Sequence, residues 1–309
     1  MNIRTNKNLN LLFRPLILFC EWLGRHNPLL LVRIRYLVRF HKPLRLNHPV
    51  TLNEKILYLS LKTDTSLWTK CADKYQVREY VEAKGLGDNL VKLYGVWDKP
   101  CDIDMAMLPN QFVLKTTHGS ADVVIIEDKN NMDWARISNV FADKLKKGYG
   151  ALEGGIHYMR IKPRMIAEEL LHNDPESQKY SSSLIDYKIW CFNGKAYYIW
   201  TCCNRINGKM YVMTYDRDWI AHPEYSIFDK KHPRGELIPK PRNFERMIAV
   251  AEKLAEDFPV VRVDLYNLSG KIFFGELTFT STGGMMYYYS PEFQRHAGNL
   301  IDLNYNSKQ

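Results

Sequence analysis

The sequence predicts an α+β fold of two lobes behind a basic helical arm. Three observations predict it. Residues 261–266 and 274–278 each surround a carboxylate with aromatic and β-branched residues and read as paired strands. Asn193-Gly194 and Asn207-Gly208 are hairpin turns between further apolar runs. Residues 243–258 repeat apolar side chains with a helical period, placing Met247, Val250, Ala251 and Leu254 on one side. The 309 residues, 46% apolar and 13% aromatic, can bury a sizeable core and suit one two-lobed unit or two small domains.

The arm occupies residues 1–50. Residues 1–48 hold nine Lys or Arg against the single acid Glu21, a net of +8 out of +9 for the whole chain. Apolar runs at 16–19 and 29–32 fall far short of the roughly 20 residues that span a bilayer. Pro15, Glu21 and Arg25 interrupt anything resembling a signal peptide. Two basic amphipathic helices fit before Leu44. Leu30, Ile34, Leu37 and Val38 make one stripe; Arg35, Arg39 and Lys42 share another side, and Arg33 breaks the separation. Such helices either lie on an anionic membrane surface or pack on the lobes with their arginines solvated.

The first lobe spans residues 51–163. Helices are expected at 53–62 and 67–84; the second carries Asp73 and Lys74, with Arg78 one turn further on. Strands follow near 90–97, at 111–115 and at 123–126, then a helix at 133–147. A strand at 164–170 crosses into the second lobe, residues 164–309. There the Asn-Gly turns join strands at 185–192, 195–204 and 209–215, and the helix at 243–258 precedes the two closing strands. Six cysteines without a C-x-x-C pair argue against a disulfide framework or zinc site and point to the reducing cytosol. Neither RNP aromatics nor a zinc motif is present, which argues against nucleic acid as a partner.

The closing strands carry the chemistry. Asp264 lies on the first and Glu276, twelve residues later, on the second. If 268–270 is a three-residue loop, Asp264 sits opposite Phe274, and Glu276 is a diagonal neighbour on the same face, roughly 7–8 Å away. That separation suits Mg²⁺, whose oxygen ligands lie at about 2.1 Å. A two-residue turn would place the two carboxylates on opposite faces. Arg262 shares the face of Asp264. A cation beside two acids suits a bound polyphosphate; the alternative is a hairpin with solvated charges. Lys115 ends a strand that runs into His118-Gly119-Ser120-Ala121-Asp122. There an amine supplies charge and a small-residue turn offers N–H groups to phosphate oxygens, although no P-loop or G-x-G-x-x-G motif occurs. After Glu276, residues 278–284 are rich in hydroxyls and glycine and suit an anion nest. The Met and Tyr run at 285–289 either lines a cleft or packs.

Read in order, these motifs resemble the ATP-grasp superfamily, and most closely its teichuronopeptide biosynthesis protein-like branch. They are Thr51-Leu52-Asn53-Glu54-Lys55, then Asp73-Lys74-Tyr75-Gln76-Val77-Arg78, and Phe112-Val113-Leu114-Lys115 before His118-Gly119-Ser120. Arg262-Val263-Asp264-Leu265-Tyr266 and Phe274-Gly275-Glu276-Leu277-Thr278-Phe279-Thr280 complete the set. The resemblance covers residues 51–303.

The resemblance implies two α+β lobes clamping ATP, with Mg²⁺. It implies that Lys74 and Lys115 bind ATP phosphates, under a loop formed by Gly119 and Ser120. It makes 164–171 a hinge strand whose Glu168 or Glu169 reaches the adenine amino group. Lys188 would project into the nucleotide cleft. Asp264 and Glu276 would ligate Mg²⁺, with Thr278 where many ATP-grasp ligases carry Asn. Arg262 would stabilise the transferring phosphoryl group or an acyl phosphate. His118 would act as a base or touch a phosphate, or else bond the backbone. The implied reaction joins a carboxylate to an amine, such as an acidic sugar of a cell-surface polysaccharide or capsule precursor to an amino acid. The alternatives are a glycan kinase and a glycosyltransferase of polysaccharide biosynthesis. The cysteine usage and the basic arm, rather than the resemblance, place the protein in the cytoplasm, with a peripheral place at the inner face of the membrane if the arm binds lipid.

Overall fold

The computed structural model describes residues 7–206 and 208–305, with side chains from Phe13 onward. Arg4, the side chain of Lys7, and Asn207 of the second expected Asn-Gly turn lie outside the described residues. The chain opens with helix α1 (Lys7–His26) and helix α2 (Pro28–Phe40). Asn27 joins them. Its side chain accepts the Leu30 N–H at 3.0 Å, and Pro28 starts the second helix, where its missing N–H costs nothing. The buried residues of α2 are Leu31, Val32 and Tyr36, so of the two expected placements the stripe of Leu30, Ile34, Leu37 and Val38 takes the outward-facing one.

Helix α3 (Leu52–Lys62) begins with a reciprocal cap. Thr51 Oγ1 accepts the Glu54 N–H at 3.3 Å, and Glu54 Oε2 accepts the Thr51 N–H at 3.0 Å. The single helix expected at 67–84 is two: α4 (Ser66–Ala72) and α5 (Val77–Ala83). Asp73 breaks it. Its buried carboxylate accepts the N–H groups of Tyr75 at 2.8 Å and Gln76 at 3.2 Å, competing with the helical pattern. Lys74 therefore sits on a turn, and its N–H donates to the Thr117 carbonyl at 3.1 Å.

Strands β1 (Leu93–Trp97), β2 (Phe112–Thr116) and β3 (Val123–Ile126) precede helices α6 (Trp134–Lys146) and α7 (Ile156–Met159), then strand β4 (Met165–Glu168). These four strands form an antiparallel sheet in the order β1-β4-β2-β3. The strand expected to cross into the second lobe is thus an inner strand of the first sheet, and the chain passes to the second sheet after Glu168.

The second sheet contains β5 (Asp186–Phe192), β6 (Lys195–Ile206) and β7 (Lys209–Asp216). After helix α8 (Phe244–Ala255) come β8 (Val260–Leu268) and β9 (Lys271–Thr278), and helix α9 (Pro291–Leu300) follows. All neighbours are antiparallel, in the order β7-β6-β5-β8-β9. Asn193 and Gly194 adopt φ of 49° and 74°, the left-handed pair that a two-residue hairpin needs. Helix α8 buries Phe244, Met247, Ile248, Val250, Ala251 and Leu254. With Trp190, Phe192, Phe258 and Phe279 these belong to the main core, which holds the sheet rigid behind its charged face.

Candidate active site

The β8–β9 hairpin places the two key carboxylates. Leu268 pairs with Lys271, which leaves Ser269 and Gly270 as a two-residue turn with φ of 51° and 83°. By alternation alone this turn would separate Asp264 and Glu276. The register shifts between Asp264 and Leu265: Leu265 pairs with Phe274, but Asp264 pairs with Glu276. Gly275 is the extra residue of a β-bulge, and the carboxylates face each other directly. A Cβ on Gly275 would lie 2.9 Å from the Asp264 carbonyl oxygen, so the bulge fits tightly against its partner. The expected three-residue loop and diagonal placement are thus corrected, while the shared face is retained.

Asp264 is buried inside a lattice of charges. Its Oδ1 accepts from Arg262 Nε at 2.7 Å, and its Oδ2 accepts from Arg262 Nη2 at 2.8 Å and from Lys188 Nζ. Lys188, directly across on β5, lies 3.7 Å from Asp186 Oδ2, and Asp186 in turn pairs with Arg205. Arg262 also donates to Ser281 Oγ at 2.8 Å, to Thr278 Oγ1 at 3.1 Å and to Glu276 Oε1 at 3.5 Å. Burial opposes each charge here, and the partners outweigh it. Lys188 is raised by Asp186 and Asp264, Arg262 is raised mainly by Asp264, and Asp264 is lowered by Arg262 and Lys188. Glu276 differs, with its side chain 45% exposed. Thr278 bridges the pair, donating its hydroxyl to Glu276 Oε1 at 3.1 Å while accepting from Arg262.

The first sheet supplies the second group of cations. Lys115 on β2 donates to Glu168 Oε2 at 2.8 Å, and Arg78 of α5 donates to Glu168 Oε1 at 3.2 Å. Lys74 donates to the Gly119 carbonyl at 2.6 Å. Burial lowers its pKa; Glu276 pulls it back up and Lys115 pushes it further down. Lys74 is thus anchored to the β2–β3 loop and feels the charges of both Lys115 and Glu276.

The β2–β3 loop is built around Gly119. A Cβ there would lie 2.0 Å from Asp122 Oδ2 and 2.7 Å from Thr116 Oγ1, so no other residue fits without moving the loop. Lys144 of α6 pairs with Asp122 and ties the loop down, while Ser120 at its tip is exposed. His118 is buried and donates from Nε2 to the Lys147 carbonyl at 3.0 Å. Burial lowers its pKa. It meets the end of α6 rather than the carboxylate pair. Of the two expected adenine-contacting acids, Glu168 is held by Lys115 and Arg78, and Glu169 is exposed.

Of the residues around Lys188 and Arg262, nothing in the sequence marked Arg205, and Ser281 and Tyr288 were legible only as members of the hydroxyl-rich run at 278–284 and the Met and Tyr run at 285–289. Tyr288 is buried, stacks on Trp200 with ring centroids 4.8 Å apart, and bonds Ser281 through its hydroxyl at 2.8 Å. Its place in a Tyr run gave no sign of that bond. Asp73, paired in sequence with Lys74, is structural: it is buried and accepts from Arg164 at 3.2 Å.

Among the described residues, no group of three or more His, Cys, Asp or Glu is placed to hold a metal ion by itself. Two facing carboxylates and one hydroxyl are nevertheless a donor set that suits Mg²⁺, which uses one or two protein carboxylates and fills its octahedron with substrate phosphates and water. Glu276 and the Thr278 hydroxyl fit the ion as they stand; Asp264, with both oxygens bonded to Arg262 and Lys188, would join them by exchanging one of those bonds for the ion.

A family model described as TupA-like ATPgrasp matches residues 54–302. Comparison with curated proteins gives no match. Among solved structures, the chain is similar to a D-alanine–D-alanine ligase from Bacillus anthracis at 14% identity, with a TM-score of 0.45 over 77% of this chain and 64% of that one. A D-alanine–D-alanine ligase from Helicobacter pylori gives 13% and 0.42 over 81% and 66%, and an L-amino acid ligase from Bacillus licheniformis 14% and 0.44 over 80% and 53%. The chain therefore spans less than two thirds of the length of the first of these ligases. The family match, covering most of the chain, decides: this chain belongs to the TupA-like ATP-grasp family.

Proposed function

We propose that this protein is an ATP-dependent carboxylate–amine ligase. The observation that carries this reading is the buried Lys188–Asp264–Arg262 lattice opening onto the half-exposed Glu276, with the Lys115–Glu168 pair on the first sheet and Lys74 bonded to the Gly119 loop. Phosphoryl transfer needs fixed positive charge and positioning more than a protein nucleophile, and these residues supply both.

In this reading Lys74 and Lys115 hold the ATP phosphates, and the Gly119–Ser120 loop covers them. Asp264, Glu276 and the Thr278 hydroxyl would hold Mg²⁺, which when bound neutralises phosphate charge. A carboxylate oxygen of the acceptor attacks the γ-phosphorus, the bond to ADP breaks, and an acyl phosphate forms. An amine then attacks the acyl carbon, inorganic phosphate leaves, and the amide nitrogen gives up a proton. Arg262 stabilises charge on the transferring phosphoryl group, held in place by Asp264 and Ser281. Arg262 and, after it, Lys188 keep Asp264 ionised and positioned.

The acceptor we propose is an acidic sugar on a surface-polysaccharide precursor, and the amine an amino acid. The basic helical hairpin beside the loop that follows Glu276 supports an amphiphilic precursor: Arg39 of α2 stacks over the Tyr287 ring at 4.3 Å. The test is incubation with ATP, Mg²⁺ and the host's glycan precursors, followed by mass spectrometry. Inorganic phosphate with a new amide mass supports the ligase. A phosphate mass on the glycan would make it a kinase, and preference for a nucleotide sugar over ATP would make it a glycosyltransferase.

A further inference from the structure

The α1–α2 hairpin carries an apolar surface that the candidate site does not use. On α1, Leu16, Leu18, Phe19 and Trp22 are 54–57% exposed. On α2, Leu30, Ile34, Leu37 and Val38 are 44–69% exposed. Scattered exposed leucines need no explanation, but eight large apolar side chains on two packed helices do. Both helices turn their other side to one short segment. Gly24 of α1 approaches Ala151 so closely that a Cβ would lie 1.8 Å from its carbonyl oxygen. Val32 of α2 lies against Gly154, and Arg35 donates to the Leu152 carbonyl at 2.7 Å. The exposed stripes therefore look outward from that same segment, away from the lobes.

Charge identifies what covers them. Arg14, Arg25, Arg33 and Lys42 are exposed on or beside the two helices, whose only acid is Glu21. A second copy of the chain would bring like charges face to face. An anionic surface complements them. Among the described residues no helix is long and apolar enough to cross a membrane, so the helices would lie in the plane of the surface. Trp22 and Phe19, with apolar bodies, suit the headgroup boundary.

We propose that the α1–α2 hairpin docks the protein on an anionic phospholipid surface, with the Phe19 and Trp22 side of α1 and the Leu37 and Val38 side of α2 entering the headgroup layer. The test uses full-length protein and cosedimentation with mixed phosphatidylglycerol–phosphatidylcholine vesicles against pure phosphatidylcholine vesicles, at low and high salt. Binding to the anionic vesicles, weakened by salt, is expected. The double variant Leu37→Ser, Val38→Ser changes only exposed positions, so thermal melting should match wild type while vesicle affinity falls by about tenfold or more. Replacing Arg25 and Arg33 by Glu should remove the salt-sensitive part of binding. Absence of binding to anionic vesicles at low salt overturns the proposal, as does unchanged affinity in both variants. A concentration-dependent dimer in sedimentation velocity that the Leu37, Val38 variant abolishes, without vesicle binding, would assign the face to a second copy instead. None of these readouts involves ATP, so failure here leaves the ligase reading untouched.

Discussion

Asp264 and Glu276 face each other across β8 and β9 because β9 contains one residue more than an even hairpin needs. Without a bulge, Asp264 would meet Gly275, and Glu276 would point to the other side of the sheet opposite Val263. The extra residue turns Glu276 back. The two carboxylates nevertheless sit in different surroundings. The Asp264 side chain is 3% exposed and enclosed by two cations, whereas that of Glu276 is 45% exposed.

That difference separates two mutations of similar chemistry. Glu276→Gln should leave the melting temperature close to wild type and remove ATP turnover by on the order of a hundredfold or more. Asp264→Asn should also remove turnover, but in addition destabilise the fold by about 3 kcal/mol, because Arg262 and Lys188 stay buried without their counter-ion. Melting curves beside an ADP-release assay check both. Normal turnover in either variant would end the assignment of this pair to the active site.

The Thr278 hydroxyl links Arg262 to Glu276. Thr278→Val keeps the shape and deletes both bonds. The expected cost in stability is about 1–2 kcal/mol, with a fall in kcat larger than the change in KM for ATP. An unchanged kcat would show that the bridge matters only for packing.

Much of this arrangement was legible in the sequence, for reasons that also explain the gaps. Strand alternation and Asn-Gly turns are local signals, so the hairpins around Asn193 and the pairing of 261–266 with 274–278 could be read directly. The bulge could not, because Gly275 reads equally well as an ordinary strand residue. Asp73 was grouped with Lys74 as a helix face. Its carboxylate instead captures backbone N–H groups and ends the helix, a competition that apolar periodicity does not record. Arg205 and Ser281 join the charge lattice only through tertiary packing, and no spacing announces them. The family's motifs singled out Lys74, Lys115, Arg262, Asp264 and Glu276 as candidates but did not reveal which of these are already neutralised by neighbours.

Lys115 is one of those, since Glu168 takes one of its hydrogen bonds. Lys115→Met should abolish the rise in melting temperature that ATP gives the wild type, because a ligand stabilises the fold only through its affinity for it. A full ATP shift in the variant would return Lys115 to the role of a strand-end partner for Glu168.

Lys74 makes a prediction about pH. Burial holds its pKa below the usual 10.5. Below the folded value the half-buried charge is present at a cost. Between that value and 10.5 the unfolded chain binds more protons than the folded one, so this contribution to stability improves as pH rises. Lys74→Met removes the cost at every pH. In the absence of nucleotide the variant should melt higher than wild type near neutrality, with the gap closing toward alkaline pH, while ATP no longer shifts it. A gap that widens as pH rises would contradict the buried-charge account.

His157 gives the acid-side counterpart. It is fully buried, edge-on to Trp68 at 5.6 Å and to Phe279 at 6.2 Å, with Nε2 3.4 Å from Thr280 Oγ1 and no partner for Nδ1. Burial, with a smaller push from Arg160, lowers its pKa from 6.5 to about 3. The unfolded chain takes up this proton near 6.5 and the folded chain only near 3, so stability falls as pH drops through that window. His157→Phe retains an aromatic ring and cannot be protonated. Near neutral pH its stability should stay within about 1.5 kcal/mol of wild type. On acidification its melting temperature should fall less steeply than that of the wild type, and the curves should separate below about pH 6.5. Parallel curves across that range would mean that other groups set the acid limb and that His157 contributes packing alone.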